Sequence, residues 1–497
     1  MSVIVSRLAL DHFRSWDHCI IDLPEGVTVI QGANGMGKTN LVEAIEVLST
    51  GSSHRTSSSL PLVQRGYDSA TVRANIVDTN VADGEAAGAQ PRNIAESANT
   101  ELASDSSESS SEEQNGKLNS NQDSLQNSSS GHGDAAQPDR NTQNRAPYTT
   151  IELTIRAHGA NRARIDGGAS MYMRDILGRI PSVSFTPEDQ RLVSGDPATR
   201  RGFINQAGTL LIPGYDEVHQ TCAKIARQRA ALLKQLGKPS VQDGRYDNRY
   251  GQSAPSDADA GQAAAMQPAL SGLEIWTGQF IESGVELTRM RKRLIDQLAP
   301  LFSQNYDALS GSKQHASLVY LPSFDEVLED GEPHQLISRH FQRIYPGEVA
   351  RGQNLIGPHR DDMAMTLDGV PAKEFASNGE MWTMALALKM ALAALVERAT
   401  GNAPMVILDD VFAQLDETRR RQILEFAVRR DQVLITAAAA ADVPDLSQYG
   451  THARIVDIAA LRRQSDNAQA GQLLTDETVA RIKAARQQVD AEGEASA

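Results

Sequence analysis

The first 32 residues carry two apolar runs, "SVIVSRLALDHF" and "GVTVIQG", that read as β-strands flanking turn-like sequence. Directly after the second run the period lengthens. Leu41, Ile45 and Leu48 recur at helical spacing while Glu43 and Glu46 are turned elsewhere, so a helix is predicted to follow the strand. A further strand pattern, "ATVRANIV", covers Ala70 to Val77, and "TTIELTIRAHGANRARIDGG" resumes it only after a long polar excursion. From about Asp196 the reading turns helical. "EVHQTCAKIARQRAALLKQL" and, beyond a polar break from Gly237 to about Pro268, "EIWTGQFIESGVELTRMRKRLIDQLAPLF" form the arms of a predicted helical subdomain. Strand-like and helical segments alternate again from about Leu355 to Ile458, and the terminal "QQVDAEGEASA" reads as frayed.

Composition changes this picture in one place. From Asp78 to about Ala146 the chain is rich in Ser, Asn, Gln and acid, with almost no aromatic or branched apolar residue. Such a segment cannot bury enough surface to offset its ordering entropy, so a disordered insertion is predicted. With strand patterns on both sides, it is expected to join two neighbouring strands of one sheet; closure entropy grows only logarithmically with loop length. The insertion also relocates the charge. A formal net charge of −15 argues against nucleic acid as a partner, but Asp78 to Arg145 holds 12 acidic residues against 4 Lys and Arg, over half of the excess. The remainder is mildly acidic and leaves room for basic faces. Lys224, Arg227, Arg229 and Lys234 along the first helical arm, and Arg289, Arg291, Lys292 and Arg293 on the second, are candidates for a phosphate-contacting strip, with a solvated helix face as the alternative.

The 497 residues supply material for two or three domains. Cys19 and Cys222 sit in no metal-ligand spacing, the 11 histidines form no H-E-x-x-H cluster, and the amino terminus lacks the apolar core of a signal peptide. No uninterrupted apolar run approaches the length of a membrane span. A soluble cytoplasmic protein without disulfides, protein-held zinc or membrane span is expected.

Candidate chemistry starts at "VIQGANGMGKTNLVEAIEVL". Gly32, Gly37, Lys38 and Thr39 satisfy the phosphate-binding pattern G-x-x-x-x-G-K-[ST], and Gly35 adds a position where backbone can approach a ligand closely. Strand, loop and helix N-terminus follow in the order such a loop requires. Main-chain N–H groups then cradle the phosphates of ATP, Lys38 reaches the β- and γ-phosphates, and the Thr39 hydroxyl joins the coordination of Mg²⁺.

A partner acidic strand stands far downstream. In "PMVILDDVFAQLD" an apolar run from Met405 to Leu408 leads straight into Asp409 and Asp410, which predicts a buried strand delivering both carboxylates to the crevice at its carboxyl end. Asp409 is expected to hold Mg²⁺, and Asp410 to orient or deprotonate the attacking water. Lys38 and Asp409 stand 371 residues apart, so something large is inserted between the two halves of the site. That is the layout of the ABC-type ATPase heads of chromosome-maintenance and repair proteins, in which a lateral arm splits the head. A third element fits it. In "FASNGEMWTMALALKMALAAL", Ser377, Asn378, Gly379 and Glu380 open a strongly apolar helix and resemble the ABC signature S-x-G-[QE].

Taken together, "LDHFRSW", "GANGMGKTNLVEAI", "STGSSHR", "RIDG", "SFTPEDQRLVSGDPATRRGFIN", "GPHRDDM", "ASNGE" and "ILDDVFAQLD" resemble the RecF family in its own motif order. The resemblance covers nearly the whole chain apart from the insertion. It implies an ATP-driven protein of DNA replication, repair and the SOS response to DNA damage, binding duplex DNA and single-strand/duplex junctions. It implies action with RecO and RecR to help load RecA at single-strand gaps, with a weak, DNA-stimulated ATPase as the switch. Carried over by motif, Gly32, Ala33, Asn34, Gly35, Met36, Gly37, Lys38, Thr39 and Asn40 form the ATP loop. Asp409 and Asp410 are the acidic strand, Asp416 the aspartate loop, and Arg55 an arginine near the phosphates. In an ABC-type head the signature helix points away from its own phosphate loop, so Ser377 to Glu380 are expected to act in trans, in an ATP-dependent homodimer. Two departures concern contacts to the γ-phosphate: Gln190 stands after "TPED" rather than before it, and Thr436 and Ala437 occupy the place of the usual switch histidine.

The predicted fold is α/β: an SMC/Rad50-like, ABC-type ATPase head with an inserted helical subdomain and a long disordered insertion. Expected boundaries are 1–77 with 147–195 for the first part of the head, 78–146 for the insertion, 196–345 for the helical arm, 346–470 for the signature and acidic-strand part, and 471–497 for a flexible tail. Two alternatives are a transporter ATPase subunit, against which the split head and "GPHRDD" stand, and an SMC-like chromosome organiser of the condensin or Rad50 type. The latter needs long heptad arms, and the chain has no sustained a/d pattern.

Overall fold

The chain begins with β1 (Val3–Phe13), β2 (Trp16–Asp22) and β3 (Gly26–Gln31), and the loop after β3 runs into α1 (Lys38–Thr50). In this computed structural model, residues 3–56, 58–78, 148–237, 257–311 and 314–467 are described. β4 (Ser69–Asp78), β5 (Tyr148–Arg156), β6 (Arg162–Ile165), β7 (Met171–Tyr172) and β8 (Ser182–Phe185) follow. The next elements are helical: the single-turn α2 (Arg191–Ser194), α3 (Pro197–Leu211), α4 (Tyr215–Leu236) and the long α5 (Asp257–Ser310). β9 (Ala316–Leu321), α6 (Pro333–Arg351), β10 (Asp362–Leu367), β11 (Val370–Pro371) and the short α7 (Ala372–Phe375) lead to α8 (Asn378–Thr400). β12 (Met405–Asp409), α9 (Glu417–Ala427), β13 (Gln432–Ala437) and β14 (Arg454–Asp457) complete the series.

The central sheet is parallel, in the order β14-β3-β13-β12-β8. Because side chains alternate across a strand, its residues divide between two cores. Val27, Val29, Val406, Leu408, Val433 and Ile435 pack with Leu386 and Leu388 of α8 and Phe203 of α3. Ile30, Ile407 and Leu434 turn the other way, onto Leu41, Ile45 and Leu48 of α1 and onto Leu8, Leu10 and Leu153 of the antiparallel sheet β2-β1-β4-β5-β6-β7. Burial on both faces explains the continuous apolar runs of β12 and β13. Gln432 ties the two sheets together: its amide reaches the N–H of Val5 at 2.9 Å and the carbonyl of Val5 at 2.8 Å.

β4 and β5 are antiparallel neighbours, with Ala74 opposite Ile151. The polar excursion between them, the expected disordered insertion, lies outside the described residues, as does the expected flexible tail from 471. β2 replaces part of the stretch expected to be turn-like; Trp16, Cys19 and Ile21 are buried along it, which makes it a half-buried strand beside β1. α5 starts inside the expected polar break, where the six alanines of "ADAGQAAAMQPAL" favour helix against Gly261 and Pro268.

The span 196–345 is not one helical body. α3 and the second half of α5, from Leu294 to Tyr306, pack in the head core, and β9 forms a small antiparallel sheet in the order β11-β10-β9. The arm itself is built from α4, the Trp276–Met290 part of α5, and α6 around Tyr215, Phe280, Phe324 and Phe341. α8 is long and apolar enough to cross a membrane, but 72% of its apolar window is buried inside the protein, the environment of a core helix.

Two of the arginines expected on the basic strip are instead interior. Arg229 is 1% exposed, forks onto Glu348 at 2.6 and 3.0 Å, donates to Asn354 Oδ1 at 2.7 Å and lies over the Phe341 ring. Arg291 is 2% exposed and donates to Asp361 and the Pro358 carbonyl, both at 2.7 Å, to Tyr215 Oη at 3.0 Å and to Asn205 at 2.9 Å. Both are in phase with apolar stripes, Cys222-Ile225-Leu233 on α4 and Leu287-Leu294-Leu298 on α5, so helical periodicity carries them inward. Their charges are matched by buried carboxylates, and neither can meet a phosphate at the surface.

Candidate nucleotide site

The loop between β3 and α1 has glycine where the backbone demands it. Gly32, Gly35 and Gly37 have φ of 149°, 81° and 97°, and a Cβ at Gly32 would lie 2.2 Å from Ile458. Lys38 is 3% exposed; its Nζ donates to the Gly32 carbonyl at 2.8 Å and to Asn34 Oδ1 at 3.3 Å, and stands 3.9 Å from Asp410 Oδ2. The ammonium is thus held over the loop by neutral oxygens and one carboxylate.

Thr39 follows on the first turn of α1, and its hydroxyl donates to Asp409 Oδ1 at 3.2 Å. The fold therefore closes the 370-residue gap between the two halves of the motif. Pairing of β12 with β13 adds Thr436, whose hydroxyl donates to the same Oδ1 at 2.5 Å and accepts the Asp410 N–H at 2.9 Å. Burial raises the Asp409 carboxyl above its ordinary value; the Thr436 bond opposes this and the neighbouring Asp410 charge reinforces it. A buried carboxylate beside a threonine hydroxyl is a hard-oxygen donor set of the kind Mg²⁺ takes. Asp410 itself adopts a left-handed backbone, φ 50°, and keeps its side chain 35% exposed at the crevice.

Arg55 lies beside the loop, donating to Asn40 Oδ1 at 3.0 Å and to Glu43 at 3.2 Å. Glu43 is fully buried on α1 and also receives Arg14 and Ser53, so the 52–56 segment is held against the nucleotide helix by an acid that periodicity alone marks as outward-facing.

At the signature, Ser377 caps α8. Its Oγ accepts the Glu380 N–H at 3.3 Å while Glu380 accepts the Ser377 N–H at 2.7 Å, a bond that lowers the Glu380 carboxyl. Ser377 and Asn378 are exposed, so the N-terminus of a 23-residue helix opens outward. Among the described residues, no hydrogen bond or ion pair joins 377–380 to 32–40. Asp416 caps α9 by accepting the Arg419 N–H at 2.9 Å, and Arg419 pairs with it, donates to Thr383 Oγ1 at 3.0 Å and lies against Gly379. Gln190 donates to Asn378 Oδ1 at 3.2 Å, so it touches the signature rather than the phosphate loop of its own chain.

Comparison with known proteins identifies this arrangement. The family model described as RecF/RecN/SMC N terminal domain matches residues 4–449. A protein of Bifidobacterium adolescentis named DNA replication and repair protein RecF is 53% identical over 93% of this chain and 92% of its own. The chain belongs to the RecF family. A RecF protein of Beutenbergia cavernae is 33% identical over 89% of this chain and 95% of its own. The solved structure described as "Structure of the recombination mediator protein RecF-ATPrS in RecFOR pathway" covers 92% of this chain and 97% of its own, with a TM-score of 0.64 at 20% identity. At that identity the likeness is one of fold, the ABC-type ATPase head of RecF and SMC proteins.

On the arm of this RecF-family chain, Lys224 and Arg227 are exposed on α4, and Arg289 and Arg293 on α5, one turn apart in each pair. Lys292 is half-buried and already paired with Asp296 at 2.6 Å. Trp16, Arg419 and Arg462 escaped sequence reasoning, which marks Thr436 only as a departure from a switch histidine and not as a partner of Asp409. Arg462 donates to the Met36 carbonyl of the phosphate loop from the far end of the chain, and no spacing rule connects residues so remote.

Proposed function

We propose that this RecF-family protein is an ATP-dependent DNA-binding protein of recombinational repair and replication. It dimerises on ATP and, with RecO and RecR, helps load RecA at single-strand gaps and junctions in the cytoplasm. The observation that carries the reading is the 3.2 Å contact of Thr39 with Asp409, which unites phosphate loop and acidic strand. In this scheme the loop from Gly32 to Asn40 holds the phosphates of ATP, and Lys38 moves from the Gly32 carbonyl to the β- and γ-oxygens. Thr39 and Asp409 would hold Mg²⁺, which would supply neutralisation of the phosphate charge. Asp410 orients the attacking water and takes its proton.

Ser377, Asn378, Gly379 and Glu380 complete the site of a second chain. Their exposed helix N-terminus suits an anion, and Arg419 couples it to Asp416 at the same surface. Two heads about a two-fold axis then share two composite sites, and hydrolysis loosens the pair, a slow switch that DNA accelerates. Lys224, Arg227, Arg289 and Arg293 contact DNA phosphates, with Lys292 a weaker contributor because Asp296 already occupies it.

The test is a gel shift on gapped, single-stranded and duplex DNA, with and without ATP and Mg²⁺. ATP-dependent retention of gapped or duplex DNA is expected. Binding that ignores ATP on every substrate would refute the proposal.

A further inference from the structure

The carboxyl-terminal part of the head lies across the phosphate loop at two points. β14 pairs with β3 up to Asp457 opposite Gln31, and the helical residues 458–467 continue from there over the loop. Ile458 fills the space beside Gly32, so close that any Cβ there would collide with it. One turn on, Arg462 donates from Nε to the Met36 carbonyl at 2.9 Å and from Nη2 to Ser15 Oγ at 3.0 Å. Its guanidinium stacks 4.8 Å above the Trp16 ring, and Trp16 Nε1 donates to the next carbonyl, that of Gly37, at 3.2 Å. Ser15 Oγ also receives Asn40 Nδ2 at 2.8 Å, which closes the ring of contacts around the loop.

We propose that Arg462, acting with Trp16, is a positioning residue that fixes the phosphate-binding N–H groups of the loop. In a planar trans peptide the carbonyl and the N–H of one unit point in opposite directions. Arg462 and Trp16 lie together on one side, so holding the Met36 and Gly37 carbonyls there turns the Gly37 and Lys38 N–H groups to the other side. That is the side from which a phosphate is gripped, and these donors stand at the N-terminus of α1, where they have no intrahelical acceptor. A preset orientation spares the loop the ordering cost that binding otherwise carries. Gly37 is integral to this fit, since a Cβ there would lie 2.9 Å from Ser15 Oγ and 3.0 Å from Trp16 Nε1.

The inference rests on the ATP-binding reading above, and its test separates the two. Full-length wild type, Arg462→Met, Arg462→Lys and Trp16→Phe would be titrated with a fluorescent ATP analogue and with ADP, and melted without nucleotide. Methionine keeps the length and the apolar stack but cannot donate. It should weaken both nucleotides roughly tenfold, the worth of one charge-assisted hydrogen bond, with a melting temperature within about 2 °C of wild type. Lysine restores a donor for Met36 and should recover most of the affinity, and Trp16→Phe should weaken binding severalfold. In steady state the Met variant should raise KM with little change in kcat, as expected for a ground-state contact. Unchanged affinity in both Arg462→Met and Trp16→Phe, or losses of affinity matched by loss of the fold without rescue by lysine, would overturn the positioning role. A wild type that binds no ATP would instead overturn the nucleotide reading itself.

Discussion

Thr436 Oγ1 donates to Asp409 Oδ1 at 2.5 Å and accepts the Asp410 N–H at 2.9 Å, so one hydroxyl on β13 holds both acidic residues at the carboxyl end of β12. By its resemblance to ABC-type heads it stands in place of an expected histidine, and here its hydroxyl bonds the carboxylates. Thr436→Val keeps the shape and removes the hydroxyl. ATP affinity should stay within about threefold, while single-turnover hydrolysis falls about tenfold or more as the carboxylates lose their register. Undiminished hydrolysis would show that Thr436 only fills space.

Lys38 and Asp410 face one another at 3.9 Å, and the proposed function gives them different duties. Lys38→Ala removes the mobile cation of the loop and should abolish measurable ATP binding. Asp410→Asn keeps the size of the side chain and should bind ATP yet hydrolyse it on the order of 100-fold more slowly. Equilibrium dialysis with a hydrolysis time course distinguishes them, and equal loss of binding in both would refute the division of roles.

Ser377 offers its helix N-terminus to the exterior, so complementation between damaged chains should be measurable. Lys38→Ala and Ser377→Arg are each expected to be inactive alone. Mixed, they form heterodimers with one doubly damaged and one intact composite site, and ATPase activity should partly return. A mixture that stays inactive while its subunits demonstrably exchange would exclude the shared site.

The arm arginines should sort by burial rather than by sequence clustering. Arg229→Ala and Arg291→Ala each leave a buried carboxylate unpaired and should cost about 3–5 kcal/mol of stability, read by denaturant titration. Arg289→Ala and Arg293→Ala should leave the melting temperature nearly unchanged and reduce the salt dependence of DNA binding. The opposite pattern would put the buried pair at the DNA surface.

Acid should loosen the arm and the adjoining head. Burial pulls His219 and His359 from the ordinary 6.5 down to about 4, so both are neutral in the fold at neutral pH. Their contribution is intact above 6.5 and is lost as the pH falls towards 4, because the unfolded chain takes up the protons first. His54 runs the other way: burial lowers it, the hydrogen bond and charge of Glu46 outweigh that, and its net rise gives stability that fades as pH rises through its folded value. The melting temperature should therefore drop between about pH 6.5 and 4.5, and His219→Gln with His359→Gln should flatten that slope. An unchanged slope would exclude these two groups as its source.

Elements whose evidence is local could be read from the amino-acid pattern alone. A strand, a glycine loop and a helix N-terminus are adjacent in "GVTVIQGANGMGKTN", and a buried strand ending in two acids is complete within "PMVILDD". Backbone geometry and apolar period act over a few residues, so these could be read without a structure. Other features depend on neighbours distant in the chain and emerge only in the folded molecule. Arg291 and Arg289 are two residues apart, yet one is enclosed by Asp361, Tyr215 and Asn205 and the other is exposed, because α5 passes between partners that no local pattern names. The apolar phase of Leu287, Leu294 and Leu298 held a signal for the inward turn of Arg291, but its cost is met only by an acid 70 residues away. Trp16 and Arg462 come from opposite ends of the head and meet because β14 pairs with β3. Strand pairing and hydrogen bonding at that range are products of the assembled sheet, and this is why the phosphate loop was legible in the sequence while the residues that hold it in shape were not.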